Sequence, residues 1–249
     1  MKYIFRLAML VALILLGSAC SESKLLMKGL SNYPQPLGYE FTSPIDSSTK
    51  ADSVILTFNG FQFDSITTVH RKKGLIIPLI FINIAEYKYR IKLGASQFND
   101  NYNEFFFNAL IDESQRSGRY TLCYDSTRLK DVYHLEVTLD TCLTDTYLLE
   151  NTLIIYYIYG YFSTYSEKMY PANSKLACKV RLRKGDQLIR DTTISVNNTL
   201  DFPIGTNLKR NEQLERTAGF LVESLCQSTR DCISEMVRDV NETLTAQKR

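Results

Sequence analysis

The chain contains no tryptophan and only two histidines, His70 and His134. A zinc site needs three or four ligands at workable spacing, and two histidines in separate segments do not supply them. No CxxC pair and no GxSxG sequence occur, and no serine neighbours either histidine, which disfavours a serine hydrolase. These absences predict a protein that is not an enzyme and has no metal or other cofactor.

An excess of charge is also missing. The chain has 29 basic and 27 acidic residues, and the excess comes from Lys2 and Arg6 near its start. Without residues 1–19 the two counts are equal, so no electrostatic footprint for nucleic acid is expected. The 230 residues that follow suit one large domain or two small ones.

No apolar run is long enough for a membrane-spanning helix, which needs about 20 residues. Residues Leu7 to Ala19 form a shorter run, and the small residues Gly17-Ser18-Ala19 lead directly to Cys20. A charged start, an apolar segment and a small-residue end are typical of a secretory signal. The ending resembles the bacterial lipobox, although Gly17 stands where an aliphatic residue is usual. We therefore expect residues 1–19 to be a lipoprotein signal peptide and Cys20 to be acylated. An ordinary signal peptide cut elsewhere is the alternative.

Five further cysteines follow at positions 123, 142, 178, 226 and 232. Export permits disulfides, and an odd number leaves at least one thiol unpaired if all pairing is internal. The sequence leaves the pairing of Cys123, Cys142, Cys178, Cys226 and Cys232 open. Strand alternation places Cys178 among core residues and Cys142 on a polar face. Cys226 and Cys232 cannot bridge if the helix that carries them is continuous.

Periodicity predicts an α+β fold with a mixed, mostly antiparallel sheet and two helices on one face. The predicted strands are 52–63, 86–93, 119–124 and 131–142, then a hairpin over 174–196. The predicted helices are 101–117 and a long one over 211–244, with a kink near 227–229. His70–Gly74 is interpreted as a basic turn. Residues 20–51 are expected to form a lipidated tether, in which 33–41 is alternatively an ordered strap, and 52–249 a single domain.

Two apolar runs stand out, Leu75 to Ile82 and Leu153 to Phe162. The first run is apolar on every face, so we expect it either to be buried or to touch something apolar. For the second run, burial in the core is the favoured interpretation, and contact with a bilayer or a partner is the alternative, because tyrosine suits a boundary between water and an apolar phase. The residues proposed for such contact are Ile77, Leu79, Phe81, Ile155, Tyr156, Tyr157 and Tyr159.

The order of elements resembles that of small envelope lipoproteins of bacteria. These include auxiliary lipoproteins of ABC-type lipid transport systems, the lipopolysaccharide-assembly lipoprotein and the N-terminal domain of the Tol-system periplasmic protein. The residues that carry the likeness are 105–125, 132–142 and 175–196, and the residues around Cys20 resemble lipoproteins of Bacteroidetes-type bacteria. The resemblance implies a non-enzymatic adaptor of an envelope transport or assembly complex. Acylated Cys20 would hold it to a bilayer, most simply the outer membrane.

Two other functions remain open. The many tyrosines could serve a surface glycan-binding lipoprotein, although a glycosidase needs two carboxylates across a cleft. The acids here are scattered, and Asp112 and Glu113 are expected to face solvent on a helix. The apolar runs could also serve as membrane hairpins of a secretion or pore subunit.

Overall fold

The structure is a computed structural model and describes residues 32–43, 52–63, 69–77, 82–117, 120–123, 132–157, 160–201 and 210–247. Its strands are β1 (Asp52–Asn59), β2 (Val69–Ile77), β3 (Ile82–Lys92), β4 (Tyr120–Cys123), β5 (Tyr133–Tyr157), β6 (Gly160–Met169), β7 (Ala172–Lys184) and β8 (Gln187–Leu200). Its two α-helices are α1 (Tyr102–Arg116) and α2 (Arg210–Ala246), and a short 3-10 helix spans Ala95–Gln97.

One strand organises the sheet. β5 has 25 residues, which corresponds to a length of about 80 Å. Its first half lies between β1, which is parallel to it, and β7, which is antiparallel. Its second half lies between β3 and β6, both antiparallel. β4 continues the sheet beyond β1, β8 beyond β7, and β2 beyond β3.

The sheet therefore has two parts, which we call the body and the arm. The body contains β4, β1, the first half of β5, β7 and β8. The arm contains β2, β3, residues 145–157 of β5, and β6. The main core lies on one face of the body, where Leu135, Val137 and Val180 are buried with residues from both helices.

Both helices cover the same core, which confirms the predicted α+β class with a mixed, mostly antiparallel sheet. Phe106 of α1 stacks on Phe58 of β1 with ring centroids 5.6 Å apart. Along α2, a seam of buried residues faces the sheet, including Leu221, Leu225 and Met236. The helix is unbroken through the predicted kink. Thr229 is a polar residue within the otherwise apolar face of this helix, and it is buried. Its hydroxyl forms hydrogen bonds with Tyr102 Oη at 2.8 Å and with the Leu225 carbonyl at 2.9 Å.

The hairpin of β7 and β8 confirms the predicted one, and its turn contains Gly185 at φ 54°, where a side chain would be strained. Two other predictions are wrong. His70–Gly74 is not a turn but part of β2, an edge strand paired with β3. Cys142 is buried rather than on the polar face, because the register shifts between Leu139 and Thr141 and the extra residue turns it inward.

Residues 32–43, which we call the strap, lie against the domain. Tyr33, Leu37 and Tyr39 pack on the core, and Gln35 pairs with Phe98 as an isolated parallel bridge. At the other end, Glu113 of α1 accepts hydrogen bonds from the strap. For residues 33–41 the sequence allowed either a tether or an ordered strap, and the structure has an ordered strap. Of the expected tether, residues 20–31 and 44–51 lie outside the described residues.

Candidate contact site at the end of the arm

The two apolar runs of the sequence meet at one end of the arm. Ile77 of β2 pairs with Ile82 of β3, and Ile82 pairs with Ile155 of β5. Ile155 in turn pairs with Phe162 of β6. Directly paired residues share a face of a sheet, so Ile82, Ile155 and Phe162 form a row on one face. We call the row and the residues around it, 74–77, 82–85, 153–157 and 160–162, the arm end.

The arm end is exposed. Phe162 retains 53% of its accessible surface, Tyr161 67% and Ile84 44%. Ile82, Leu153, Ile154 and Ile155 are half-buried. The favoured interpretation of the second run as buried core is therefore wrong at Tyr161 and Phe162. The cause is positional: this half of β5 extends beyond the body, where the two helices that cover the core do not reach it.

The residues proposed for contact are only partly within the described structure. Ile77 ends β2, and Ile155, Tyr156 and Tyr157 end β5. Leu79, Phe81 and Tyr159 lie outside the described residues. Sequence reasoning missed Ile84, Tyr161 and Phe162 as individual contact candidates. The signal that could have found them is charge: positions 74–85 and 151–166 contain no charged residue.

A basic and aromatic patch follows the arm end on the same face. Lys88 Nζ lies 4.5 Å from the ring centroid of Tyr147 and 5.8 Å from that of Tyr170. Lys168 Nζ lies 5.3 Å from the Tyr170 ring. Arg90 also approaches Tyr147 and donates to Asp145 Oδ2 at 2.6 Å. Cation–π contacts hold the two lysines over rings while leaving their ammonium groups hydrated.

The pKa values of several thiols and phenols in the core are raised. Burial raises the pKa of the Cys142 thiol to about 12, although a hydrogen bond with Tyr102 opposes the shift. The contact with Cys178, followed by burial, raises the pKa of the Cys232 thiol well above its usual value. Burial likewise raises the pKa of Tyr120 to about 12. A thiol that stays protonated at neutral pH is a poor nucleophile.

A surface cavity of about 430 Å³ lies where the strap meets the first turns of α2. It is lined by Gln35, Glu212, Glu215, Arg216, Gly219, Phe220 and Glu223. Its polar lining comes mainly from carboxylates on one helix. Two carboxylates on one helix do not face each other across a substrate, so the cavity lacks the arrangement that glycoside hydrolysis needs.

Within the described residues, no group of three or more histidine, cysteine, aspartate or glutamate side chains is placed to hold a metal ion. Within the same residues, neither helix combines the length and apolar character that crossing a bilayer requires.

No protein-family model matches the chain, and no curated protein matches it. Among solved structures, the crystal structure of protein XCC0632 from Xanthomonas campestris, assigned to the family DUF330, aligns with 85% of this chain and 97% of its own. The TM-score is 0.43 and the sequence identity 9%, and at that level the likeness carries no argument about this chain.

Proposed function

We propose that this chain is a non-enzymatic accessory lipoprotein of an envelope transport or assembly system, anchored to the outer membrane through acylated Cys20. The observation that carries the proposal is the arm end. Two apolar runs far apart in sequence are paired there, away from the helices and from the main core. An exposed apolar surface of this kind marks a contact with a partner or a membrane.

The distribution of exposed apolar residues supports a dedicated contact. Within the described part of the chain, five large hydrophobic side chains are exposed, and three of them belong to the arm. The other two, Phe41 and Leu188, are separate: the Arg116 guanidinium lies 3.6 Å from the Phe41 ring centroid, and Leu188 is the second residue of β8. Scattered single residues need no explanation, but a paired row across the three strands β3, β5 and β6 does.

The acidic residues argue against an enzyme. Asp112 is exposed, whereas Glu113 is buried and engaged with the strap, so the expectation that both face solvent is wrong for Glu113. Asp145 is paired with Arg90, and Asp239 with Arg190. Glu113, Asp145 and Asp239 are therefore used in structural contacts.

The pore alternative has one observation in its favour, the two adjacent hairpins of the arm. The uncharged ends of β2 and β3 are four residues each, Gly74–Ile77 and Ile82–Ala85, and those of β5 and β6 are seven residues each, 151–157 and 160–166. These ends reach about 13 Å and about 23 Å, whereas a strand that crosses a membrane needs about 9–11 residues. The arm is therefore better suited to shallow contact than to crossing.

The anchor is tested by comparing wild-type protein with Cys20→Ser in the native organism. We expect wild-type protein to fractionate with outer membranes and to carry an acyl mass on its first residue. We expect Cys20→Ser to lose the acyl mass. Cys226→Ser is the matched control, because it removes a half-buried cysteine far from the chain start. An unmodified Cys20 in native protein would contradict the proposal.

The accessory role is tested by deletion. Loss of the chain should impair a transport or assembly process of the envelope, and a Cys20→Ser copy should not restore it. Binding of polysaccharide by the purified protein, with no envelope defect on deletion, would favour the glycan alternative instead. A ring-shaped oligomer in detergent would favour the pore subunit.

A further inference from the structure

We propose that the arm end inserts into one leaflet of a bilayer with anionic headgroups, the same bilayer that holds the acylated Cys20. This deepens the proposed function and rests on it for the second attachment point. The arm would then be a protein contact with lipid in addition to the covalent anchor. Three features of the arm support this occupant: its uncharged length, its basic patch and its position relative to the chain start.

The first feature is the uncharged length. No charged residue lies in the described strand segments at this end, which are 74–77, 82–85, 151–157 and 160–166. Ile84 and Phe162 are exposed on these segments. Exposed apolar side chains with no charged residue among them indicate that this end of the arm contacts an apolar phase.

The uncharged length of β2 and β3 matches the thickness of one leaflet of a bilayer. The uncharged ends of β2 and β3 reach about 13 Å, and half of a hydrocarbon core is about 15 Å. Phe162, Ile155 and Ile82 form one row, and Ile84 follows two residues nearer the body. Tyr161 lies on the opposite face and is 67% exposed. Tyrosine near an aliphatic row is typical of the interface between headgroups and acyl chains.

The second feature is the basic patch, which follows the apolar row on the same face. Lys88 is four residues from Ile84 along β3, a rise of about 13 Å. Leu149 of β5 pairs with both Lys88 and Lys168, so the two exposed lysines lie on one face of the arm. Glu86 is the acidic residue of β3 on this face, and Asp145 is already paired with Arg90. The patch therefore carries a net positive charge that complements lipid phosphates at headgroup depth.

The third feature is the position of the chain start. Gln35 of the strap donates its backbone N–H to the Gln97 carbonyl at 2.8 Å, just beyond the base of β3. Thr217 of α2 donates to Met169 Sδ at 3.3 Å, so the first turns of α2 also lie at the base of the arm. Gln35 of the strap and Gly219 of α2 line the same cavity, so the strap also lies near the base of the arm. The described chain thus begins beside the arm and not at the opposite end of the body.

The lengths agree with two attachments to one bilayer. From Cys20 to Asn32 the chain spans twelve Cα–Cα steps, a reach of about 40 Å when extended. From its base at Lys92 to its end at Ile82, β3 measures about 35 Å. A lipid on Cys20 and the arm end can therefore reach the same leaflet without displacing the strap.

The absence of tryptophan from the sequence supplies a clean probe. We would prepare the mature chain, residues 20–249 with Cys20→Ser, and add Phe162→Trp or Leu188→Trp. Leu188 is the matched control, since it is 49% exposed on an edge strand of the body, close to the 53% of Phe162. The vesicles are phosphatidylcholine alone, or equal parts of phosphatidylcholine and phosphatidylglycerol, with brominated lipid for quenching.

With phosphatidylglycerol vesicles, Trp fluorescence of the Phe162→Trp chain should shift to the blue and be quenched by brominated lipid. The Leu188→Trp chain should show neither change. Ile84→Asn should weaken vesicle binding about tenfold, and Leu188→Asn should leave it unchanged. Equal responses of the two probes, or no binding to either vesicle, would overturn the proposal. Self-association that depends on Phe162, without vesicle binding, would assign the arm end to a second copy and would also overturn it.

The basic patch is tested by Lys88→Gln with Lys168→Gln. The double variant should bind phosphatidylglycerol vesicles several-fold more weakly and lose most of the salt dependence of wild-type binding. Lys175→Gln with Lys184→Gln changes two exposed lysines of β7 in the body and should bind normally. Equal losses in both double variants would mean that net charge alone drives binding, which contradicts a local patch.

These measurements use a chain without the lipid, so they separate the two proposals. Vesicle binding by the Cys20→Ser chain supports the arm end whether or not native Cys20 is acylated. If Cys20 is acylated but the Cys20→Ser chain does not bind vesicles, the lipoprotein proposal stands and the proposal that the arm end contacts lipid is wrong.

We infer, from an independent observation, that Cys178 and Cys232 form a disulfide in the exported protein. Their sulfur atoms are 3.1 Å apart, and both residues are fully buried between β7 and α2. A disulfide needs about 2.0 Å, so a shift of about 1 Å closes the bond. The sequence left the partner of Cys232 open. Because α2 is continuous between Cys226 and Cys232, those two cysteines cannot bridge, and Cys178 is the partner that Cys232 faces on the sheet.

The chemistry is a thiol–disulfide exchange. Both thiols lose their protons, the Sγ–Sγ bond forms, and the two electrons reduce the disulfide of an envelope thiol–disulfide oxidoreductase to two thiols. The bond would form before α2 finishes packing, while the sulfurs are accessible. It ties the long helix to the centre of the sheet across a loop of more than fifty residues.

The test is mass spectrometry of protein from the envelope, denatured and alkylated before reduction. We expect a linked peptide pair containing Cys178 and Cys232, and alkylation of Cys226. Reduction should lower the Tm by roughly 5 to 10 °C, and Cys178→Ala with Cys232→Ala should abolish that sensitivity. Alkylation of Cys178 or Cys232 without prior reduction would overturn the inference.

Discussion

The carboxylate of Glu113 accepts a hydrogen bond from the backbone N–H of Ser43 at 2.7 Å. It also accepts from the Thr42 hydroxyl at 2.6 Å and from the Thr42 backbone N–H at 3.2 Å. Glu113 is itself buried on α1. One side chain thus fixes the end of the strap that lies farthest from the arm.

Glu113→Gln should release this end of the strap. The amide presents a donor where several donors converge, so we expect a loss of about 1–3 kcal/mol in the free energy of unfolding. Hydrogen exchange of residues 36–43 should rise in the variant. Asp112→Asn, a change at the exposed neighbour, is the control and should alter neither quantity.

The same contact predicts a pH dependence. Burial by itself raises the pKa of Glu113, but the hydrogen bonds from Thr42 and Ser43 outweigh it and lower the pKa below the ordinary 4.5. The stabilisation is therefore complete above the unfolded value and is lost as pH falls through the lower folded-state pKa. Denaturation from pH 7 to pH 3 should show wild type losing more stability than Glu113→Gln. Parallel curves would contradict the assignment.

The side chain of Asn103 lies so close to Gly60 that there is no room for a Cβ atom at this position. A Cβ there would lie 2.5 Å from Asn103 Cγ. Asn103 accepts from the Phe61 N–H at 2.9 Å and donates to the Phe61 carbonyl at 3.0 Å, so it can move aside only by giving up both bonds. Gly60→Ala should cost about 1–2 kcal/mol.

The control for Gly60→Ala is Gly38→Ala, which meets nothing within 4 Å and should not destabilise the protein. A second check uses an Asn103→Ala background, where Gly60→Ala should have little further effect. Urea denaturation measures all four variants.

Tyr102 and Thr229 join the two helices through buried hydroxyls. Tyr102→Phe should cost about 0.5–1.5 kcal/mol, and Thr229→Val should cost more because it leaves the Tyr102 hydroxyl buried without this partner. The double variant should cost less than the sum of the two. Strict additivity in a double-mutant cycle would show that the hydroxyls are not coupled.

Local patterns predicted most of the elements. Alternation over Lys175–Val196 gave the β7–β8 hairpin, and three-and-four spacing gave α2 nearly to its ends. Asn101 caps α1 by accepting from the Asn103 N–H at 2.9 Å, as its sequence position suggested. These features depend on neighbours within a few residues, so they are visible in a linear pattern.

Long-range features could not be predicted in the same way. The extra residue in β5 that turns Cys142 inward is decided by pairing with β7. The basic residues and the glycine of His70–Gly74 are typical of a turn, but pairing with β3 makes this segment part of strand β2. The meeting of the two apolar runs depends on β5 extending past the body, which no local pattern encodes.

The length of β5 has a mechanical consequence. Because one uninterrupted strand hydrogen-bonds within both halves of the sheet, no flexible joint separates them. A contact that fixes the direction of the arm thus also fixes the tilt of the body. Whatever binds the arm end therefore determines which way the two helices, and the exposed face of the sheet that contains His134, point.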